Sequence, residues 1–357
     1  MDNNILLSIA SIGVLGIACQ WFAWWVRIPS ILFLLTMGII VGPVLNLINP
    51  DALFGNLLFP FISLSVAVIL FEGSLTLKFE DIRGHGKTVS NLVSTGALIT
   101  WLIIGYSTYH LLNLPIELAF LFGAIVVVTG PTVIIPMLRT VRPNTKVANV
   151  LRWEGIVIDP LGALLAVLVF DFIISGQQNN ALGMIFLTFG KIIFSGLIIG
   201  FVSGWLIGEI LRKQYVPQYL RNIFTLISVF AIFVISEMIE SESGLLAVTV
   251  MGITMANMKD MDIDNILDFK ESLSVLLISA LFIILAARIE LHELIHVGWP
   301  AIILLGIIIF VARPISVFTS SIGSDLTVNE KLMVSWIGPR GIIAAAISSL
   351  FLSLIHI

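Results

Sequence analysis

The stretch "RWEGIVIDPLGALLAVLVF", Arg152 to Phe170, places a glutamate and an aspartate inside a run that is otherwise almost wholly apolar. Drawn from 147 to 174, the run is longer than the roughly 20 residues that a helix needs to cross the hydrocarbon core of a bilayer. A charge within such a helix is costly, and those that occur usually line a pathway or pair with one another. Asp159 lies near the middle of the run. It has no basic residue three or four positions away to neutralise it, and Pro160, which cannot donate a backbone hydrogen bond, follows it. A carboxylate so placed can carry a proton or a metal cation, one at a time, and that competition is the simplest physical basis for exchange.

The rest of the chain has the same character. Its 357 residues are 58% hydrophobic and 11% charged, with a mean hydropathy of +1.09, far from the range of soluble globular domains. The fold class is therefore an all-α polytopic membrane protein with about twelve transmembrane helices. Hydropathy and Gly/Pro punctuation draw them at 4–24, 28–44, 56–77, 88–111, 115–138, 147–174, 182–211, 219–239, 243–258, 270–288, 295–318 and 329–352. They leave no room for a soluble domain. The single cysteine, Cys19, excludes a disulfide framework and a cysteine-based metal site. The N-terminus lacks the basic region and cleavage site of a secretory signal and reads as a retained first helix.

The basic residues fix an orientation. Fourteen of the 18 fall at odd-numbered connections: Arg27, Lys78, Arg83, Lys87, Arg139, Arg142, Lys146, Arg212, Lys213, Arg221, Lys259, Lys270, Arg313 and Lys331. Arg288 alone belongs to an even one, and Arg152, Lys191 and Arg340 fall within spans. Odd connections are therefore cytoplasmic and the N-terminus outside, in a multi-pass protein of the cell's inner (plasma) membrane. The last span runs to the final residue without a polar flank, so residues 1–351 read as a truncated transmembrane domain. The terminal "LSLIHI", 352–357, resembles the translation of a sequencing adapter and reads as non-native, the alternative being a genuine apolar end.

Two further motifs bear on chemistry. In "VVVTGPTVIIPML", Val126 to Leu138, Gly130 and Pro131 break the helix, and Thr129 and Thr132 bring hydroxyl oxygens to the break. Oxygen is the ligand type that hard cations prefer. In "VSWIGPRGIIAAAISSLF", Val334 to Phe351, Gly338 and Pro339 repeat the break and Arg340 follows. Two interrupted helices seven spans apart, facing opposite ways, are the pattern of inverted repeats whose broken helices cross near the midplane, where secondary transporters bind their cargo. Arg340 needs a carboxylate partner, and Glu154 is the better candidate. On a helix Glu154 and Asp159 stand about 140° apart, which leaves Asp159 free for an ion. Arg152 reads as reaching toward an interface. Glu72, near the cytoplasmic end of the third span, either lines an entry funnel or is an interfacial carboxylate. Glu237, Glu240 and Glu242 read as a solvated helix end, and 257–271 as an exposed linker rather than a calcium loop.

These features favour a secondary cation/proton antiporter. An intramembrane enzyme would need a second approachable aspartate or a zinc motif, and a channel a filter loop or a charged ring; neither is present in the sequence. Co-transport of an organic substrate stays open. "FEGSL" (71–75), "TGPTVIIPMLR" (129–139), "RWEGIVIDPLGALLAVLVF" (152–170), "SGLLAVTVMGITMAN" (243–257) and "IGPRGIIAAA" (337–346) together resemble the monovalent cation/proton antiporter superfamily, and most nearly its bacterial and archaeal sodium/proton antiporters related to sodium/hydrogen exchangers. The resemblance spans essentially the whole chain. It implies a homodimer of thirteen-helix subunits, of which one helix is missing here, working by an elevator-like movement of a core against a dimerisation domain. It implies that Asp159 carries the ion and proton, that Thr129 is a ligand at the helix crossing, that Glu154 and Arg340 form a structural ion pair, and that Glu72 lines the funnel. Relatives usually carry Asn or Asp where Ile158 stands, and Thr-Asp-Pro where Thr129-Gly130-Pro131 stands. With one carboxylate at the site, the expected exchange of Na+ or K+ (or Li+) for H+ is electroneutral, a regulated potassium/proton efflux system being the alternative. No cofactor and no nucleic acid are implied; the partners are the transported ions, the lipid bilayer and a second copy of the chain.

Overall fold

The computed structural model describes residues 3–175, 181–259, 264–289 and 291–338, and these residues are helical with no strand among them. Helix α1 is Asn3–Val26. Helix α2, Ser30–Ile39, runs on through a π-turn at Ile40–Val44, where Pro43 removes a backbone donor. After the short α3 (Pro50–Phe54), whose Asn49 side chain accepts the Ala52 N–H, come α4 (Leu58–Leu75) and α5 (Gly86–Asn91). A second π-turn at Leu92–Gly96 joins α5 without a gap to α6 (Ala97–Leu112). Next are α7 (Ile116–Val126), α8 (Pro131–Val141), α9 (Thr145–Ser175) and α10 (Ala181–Arg212). They are followed by α11 (Arg221–Ile239), α12 (Gly244–Ala256) and α13 (Asp264–Ala287). Helix α14 (Leu291–Ile307) is kinked at Gly298, whose φ of 62° a Cβ-bearing residue rarely adopts, and it passes through a third π-turn into α15 (Arg313–Ser320). The last described helix is α16 (Val328–Trp336). Among the described residues, seven helical segments are long and apolar enough to cross a membrane on their own.

Among the described residues, helices occur over the segments drawn from the sequence, with ends displaced by a few residues; of the segment 329–352 only the part up to 338 is described. One displacement is larger: α13 starts at Asp264, so the stretch read as an exposed linker is helical from that residue on. The proposed non-native tail, 352–357, lies outside the described residues.

The helices sort into two groups. Helices α1, α2, α4 and α10–α13 pack on one another around Leu34, Leu70, Phe71, Val229, Met251 and Leu281. Helices α5–α9 and α14–α16 form the other group, with a core that includes Leu92, Ile134, Leu151, Ile156, Val317 and Val334. The groups meet along α9, which touches α10 and α12 on one side and α7, α8 and α16 on the other. Large apolar side chains such as Leu7, Trp24, Phe201 and Ile223 are exposed. That is the inverse of a soluble surface, as expected of helices facing lipid.

Candidate functional site

Asp159 sits 14 residues from the first residue of α9 and 16 from the last, about 21 and 24 Å along the helix axis. Pro160 falls directly after it in an uninterrupted helix. Asp159 is 0% exposed, and among the described residues neither of its carboxylate oxygens has a hydrogen-bond partner. Such a group is expensive to bury.

The break between α7 and α8 lies against the same face. Helix α7 ends at Val126, Gly130 is extended (φ −73°, ψ 147°), and Pro131 opens α8 at a position where its missing N–H costs nothing. The Thr129 side chain is 1% exposed, and its hydroxyl is a second buried oxygen with no partner among the described residues. Two glycines of α9 let this segment approach. Gly155 and Gly162 stand four residues before and three after Asp159, and so flank it on one helix face. A Cβ on Gly155 would stand 3.0 Å from the Thr129 carbonyl oxygen and collide with Ile134 Cδ1, and one on Gly162 would collide with Val128 Cγ2. The non-helical peptide at 128–129 thus lies along α9 on the face that carries Asp159. The side chains of Pro131 and Thr132 lie outside the described residues.

Glu154, one and a half turns away, has another surrounding. Its carboxylate is 1% exposed and is gripped at both oxygens by Arg313, 5% exposed, through Nη1 to Oε1 and through Nη2 to Oε2 at 2.8 Å. Arg313 Nη2 also donates to the carbonyls of Val334 and Ile337, each at 3.3 Å. Those carbonyls belong to the end of α16, where the helix stops at Trp336 and Ile337 leaves helical geometry (φ −91°, ψ 87°). A guanidinium there satisfies carbonyls without an intrahelical partner and faces the negative end of the helix dipole. Gly338 is needed for the contact, because a Cβ there would stand 2.7 Å from Arg313 Nε.

Glu154 thus has Arg313 as an ion-pair partner that the sequence reading did not name; the expected pairing of Glu154 with Arg340 falls, with Pro339, outside the described residues. One expectation is corrected: the sequence places Arg313 at a cytoplasmic connection, yet it opens α15 seven residues before that helix ends, about 10 Å inside it. The signal was available: Arg313 lies within the span drawn at 295–318, with Val317 and Phe318 still to come. The alternation of basic connections absorbed it.

Glu72 is half-buried near the C-terminal end of α4. At the other end of α9 the carboxylates of α11 are less solvated than their sequence suggests. Glu237 accepts the N–H of Glu242 at 2.8 Å and of Gly244 at 2.9 Å, tying the α11–α12 turn. A cavity of about 510 Å3 there is lined by Val167, Phe170 and Asp171 of α9 and by Glu237, Glu240 and Glu242. Glu242 is mostly buried, and desolvation, with repulsion from Glu237 and Asp171, pushes its carboxyl up to about 7. Among the described residues no group of three or more His, Cys, Asp or Glu could hold a resident metal ion.

Comparison with known proteins gives a consistent result. The pattern of a family described as "Sodium/hydrogen exchanger, transmembrane" matches residues 6–357. The chain is 32% identical over 357 residues to "Na(+)/H(+) antiporter 1" of Methanocaldococcus jannaschii, covering 97% of this chain and 83% of that protein. It is 25% identical over 346 residues to "K(+)/H(+) antiporter NhaP" of Alkalimonas amylolytica, covering 95% of this chain and 59% of that protein. The solved structure of the sodium proton antiporter MjNhaP1 from M. jannaschii at pH 8 superposes with a TM-score of 0.85 at 27% identity, over 99% of this chain and 88% of that one.

Proposed function

Because the chain belongs to the family of transmembrane sodium/hydrogen exchangers, transporters rather than enzymes, we propose that it exchanges Na+ for H+ across the membrane at Asp159. The observation that carries this reading is a carboxylate at mid-helix, fully buried, with both oxygens without a partner among the described residues. The charge of such a group has to be neutralised for burial to be tolerable. A proton and a monovalent cation can each do so, and they exclude one another. Release of one to a given side of the membrane is then the condition for binding the other, which is antiport.

Thr129 supplies an oxygen beside the carboxylate, from its hydroxyl or its carbonyl. Thr132 and Glu72 belong to the same route, Thr132 at the break and Glu72 toward the cytoplasmic mouth. The Glu154–Arg313 pair holds α9, α15 and the end of α16 in one body, so that the broken ends keep their places beside Asp159. Because the two helix groups meet along α9, a displacement of the group α5–α9 with α14–α16 past the other would carry Asp159 from one face of the membrane to the other. The functional unit is a homodimer in the inner membrane, with the N-terminus outside, a reading that the distribution of basic residues supports. One carboxylate exchanging one proton for one monovalent cation makes the cycle electroneutral.

A second reading, exchange of K+, rests on a specific feature of the sequence. The apolar Ile158 beside Asp159 and Gly130 beside Thr129 leave few oxygen ligands, and a sparsely liganded site strips a strongly hydrated small cation less effectively than a large one. Dissipation of a preset pH gradient in proteoliposomes, with Na+, Li+ and K+ added in turn, tests both readings. A response to Na+ or K+ supports antiport, and the order of the three cations decides between them. A gradient that none of the cations collapses would overturn the proposal.

A further inference from the structure

The two glycines that flank Asp159 are not equivalent. Gly162 makes room for a side chain, that of Val128, whereas Gly155 makes room for a side chain, Ile134, and for a carbonyl oxygen, that of Thr129. Carbonyl oxygens are ligands for hard cations. This one belongs to a peptide between α7 and α8, outside either helix, and lies one turn of α9 from the carboxylate of Asp159, which has no partner among the described residues. An oxygen in a non-helical segment is aimed by whatever the segment rests on. Here it rests on the bare backbone of Gly155.

We propose that Gly155 is a selectivity-determining position: its missing side chain lets the Thr129 carbonyl oxygen settle against α9, so that this oxygen and the Asp159 carboxylate hold the transported cation between them. The proposal rests on the antiport reading above and deepens it. A methyl at 155 meets two neighbours with different freedom. Ile134 Cδ1 is the far end of a flexible side chain and moves aside at little cost. The carbonyl is fixed to the peptide of the break, and at 3.0 Å from the added carbon it has to retreat by a few tenths of an ångström. Successive alkali cations differ in radius by a similar amount, so that retreat enlarges the site by about one step in the series. Gly155 is a positioning residue in this account, since it touches the ligand oxygen and not the ion.

The test uses the whole protein in proteoliposomes and compares wild type, Ile134→Val, Gly155→Ala with Ile134→Val, and Gly162→Ala. Ile134→Val removes the Cδ1 atom that the new methyl would strike, so the double variant isolates the effect on the carbonyl. In the double variant the KM for Na+ is expected to rise by about tenfold, a change in binding of the size that the loss of one good contact produces. Maximal rate should change by less than about twofold, and the cation order should shift toward the larger ion. A merely structural role would lower the amount of active protein and leave KM and cation order alone, and that is the result expected for Gly162→Ala. A folded double variant with the KM and cation order of Ile134→Val overturns the proposal. Should the double variant not fold, Gly155→Ala with Ile134→Ala gives more room and is read in the same way; failure of both to fold makes Gly155 a packing position and also overturns it. If the wild type itself moves no protons with any cation, the antiport reading has failed, and that outcome is seen before any variant is compared.

Discussion

The Glu154–Arg313 pair can be broken from either side, and the cost follows from its burial. Arg313→Ala would leave the Glu154 carboxylate, 1% exposed, with no cation among the described residues. Stranding one member of a buried pair costs about 3 to 5 kcal/mol. The long bonds from Arg313 to the Val334 and Ile337 carbonyls add less, since a neutral acceptor at 3.3 Å contributes about 1 kcal/mol or below. Glu154→Leu should cost a similar amount by stranding the guanidinium. Removing both charges together, as Glu154→Leu with Arg313→Met, should cost much less than the sum, because well-packed apolar groups replace a buried pair at little or no loss. Thermal unfolding of the purified protein in detergent, followed by intrinsic tryptophan fluorescence, reads the cycle. Both single variants should lower the midpoint, and the double variant should recover much of the loss. Costs that simply add, or a midpoint unmoved by Arg313→Ala, would refute the reasoning that the pair is one structural unit.

Other outcomes follow from the same geometry. Glu242, with its carboxyl raised from 4.5 to about 7, keeps a proton in the folded protein that the unfolded chain gives up at lower pH. Its contribution is therefore fully present below about pH 4.5 and lost as pH rises toward 7, by roughly 3 kcal/mol at 1.36 kcal/mol per tenfold change in proton affinity. The midpoint of the wild type should fall between pH 5 and pH 8 by more than that of Glu242→Gln; equal falls would count against it. Gly338→Ala should cost about 1 to 3 kcal/mol, as overpacking does, because its Cβ would press on Arg313 Nε. Little further loss when Gly338→Ala is added to Arg313→Met would trace that cost to this contact, and an unchanged midpoint in the single variant would argue against it.

The sequence showed the broad architecture because in a bilayer the backbone must satisfy itself, so apolar runs and helices coincide. The positions drawn at 147–174 and 182–211 fall within two residues of α9 and α10. The break at Gly130-Pro131 was legible for the same reason, since proline lacks the donor that a continuous helix needs. Asp159 was visible as a charge with no local partner. The pairing of Glu154 with Arg313 was not legible, because pairing across helices depends on which side chains the packing brings together, and the alternation of basic residues assigns Arg313 to a cytoplasmic connection. Gly155 escaped notice altogether. A glycine in a membrane helix carries no sign of what rests against it, and only the placement of the Thr129 carbonyl gives it meaning.

The most direct test of the account is Asp159→Asn in proteoliposomes loaded with a pH-sensitive dye and challenged with Na+, Li+ and K+. Asparagine keeps the shape of the side chain and removes the charge for which proton and cation compete. The account predicts that the variant folds and moves no protons in response to any of the three. Cation-dependent proton movement retained in folded Asp159→Asn protein would contradict it.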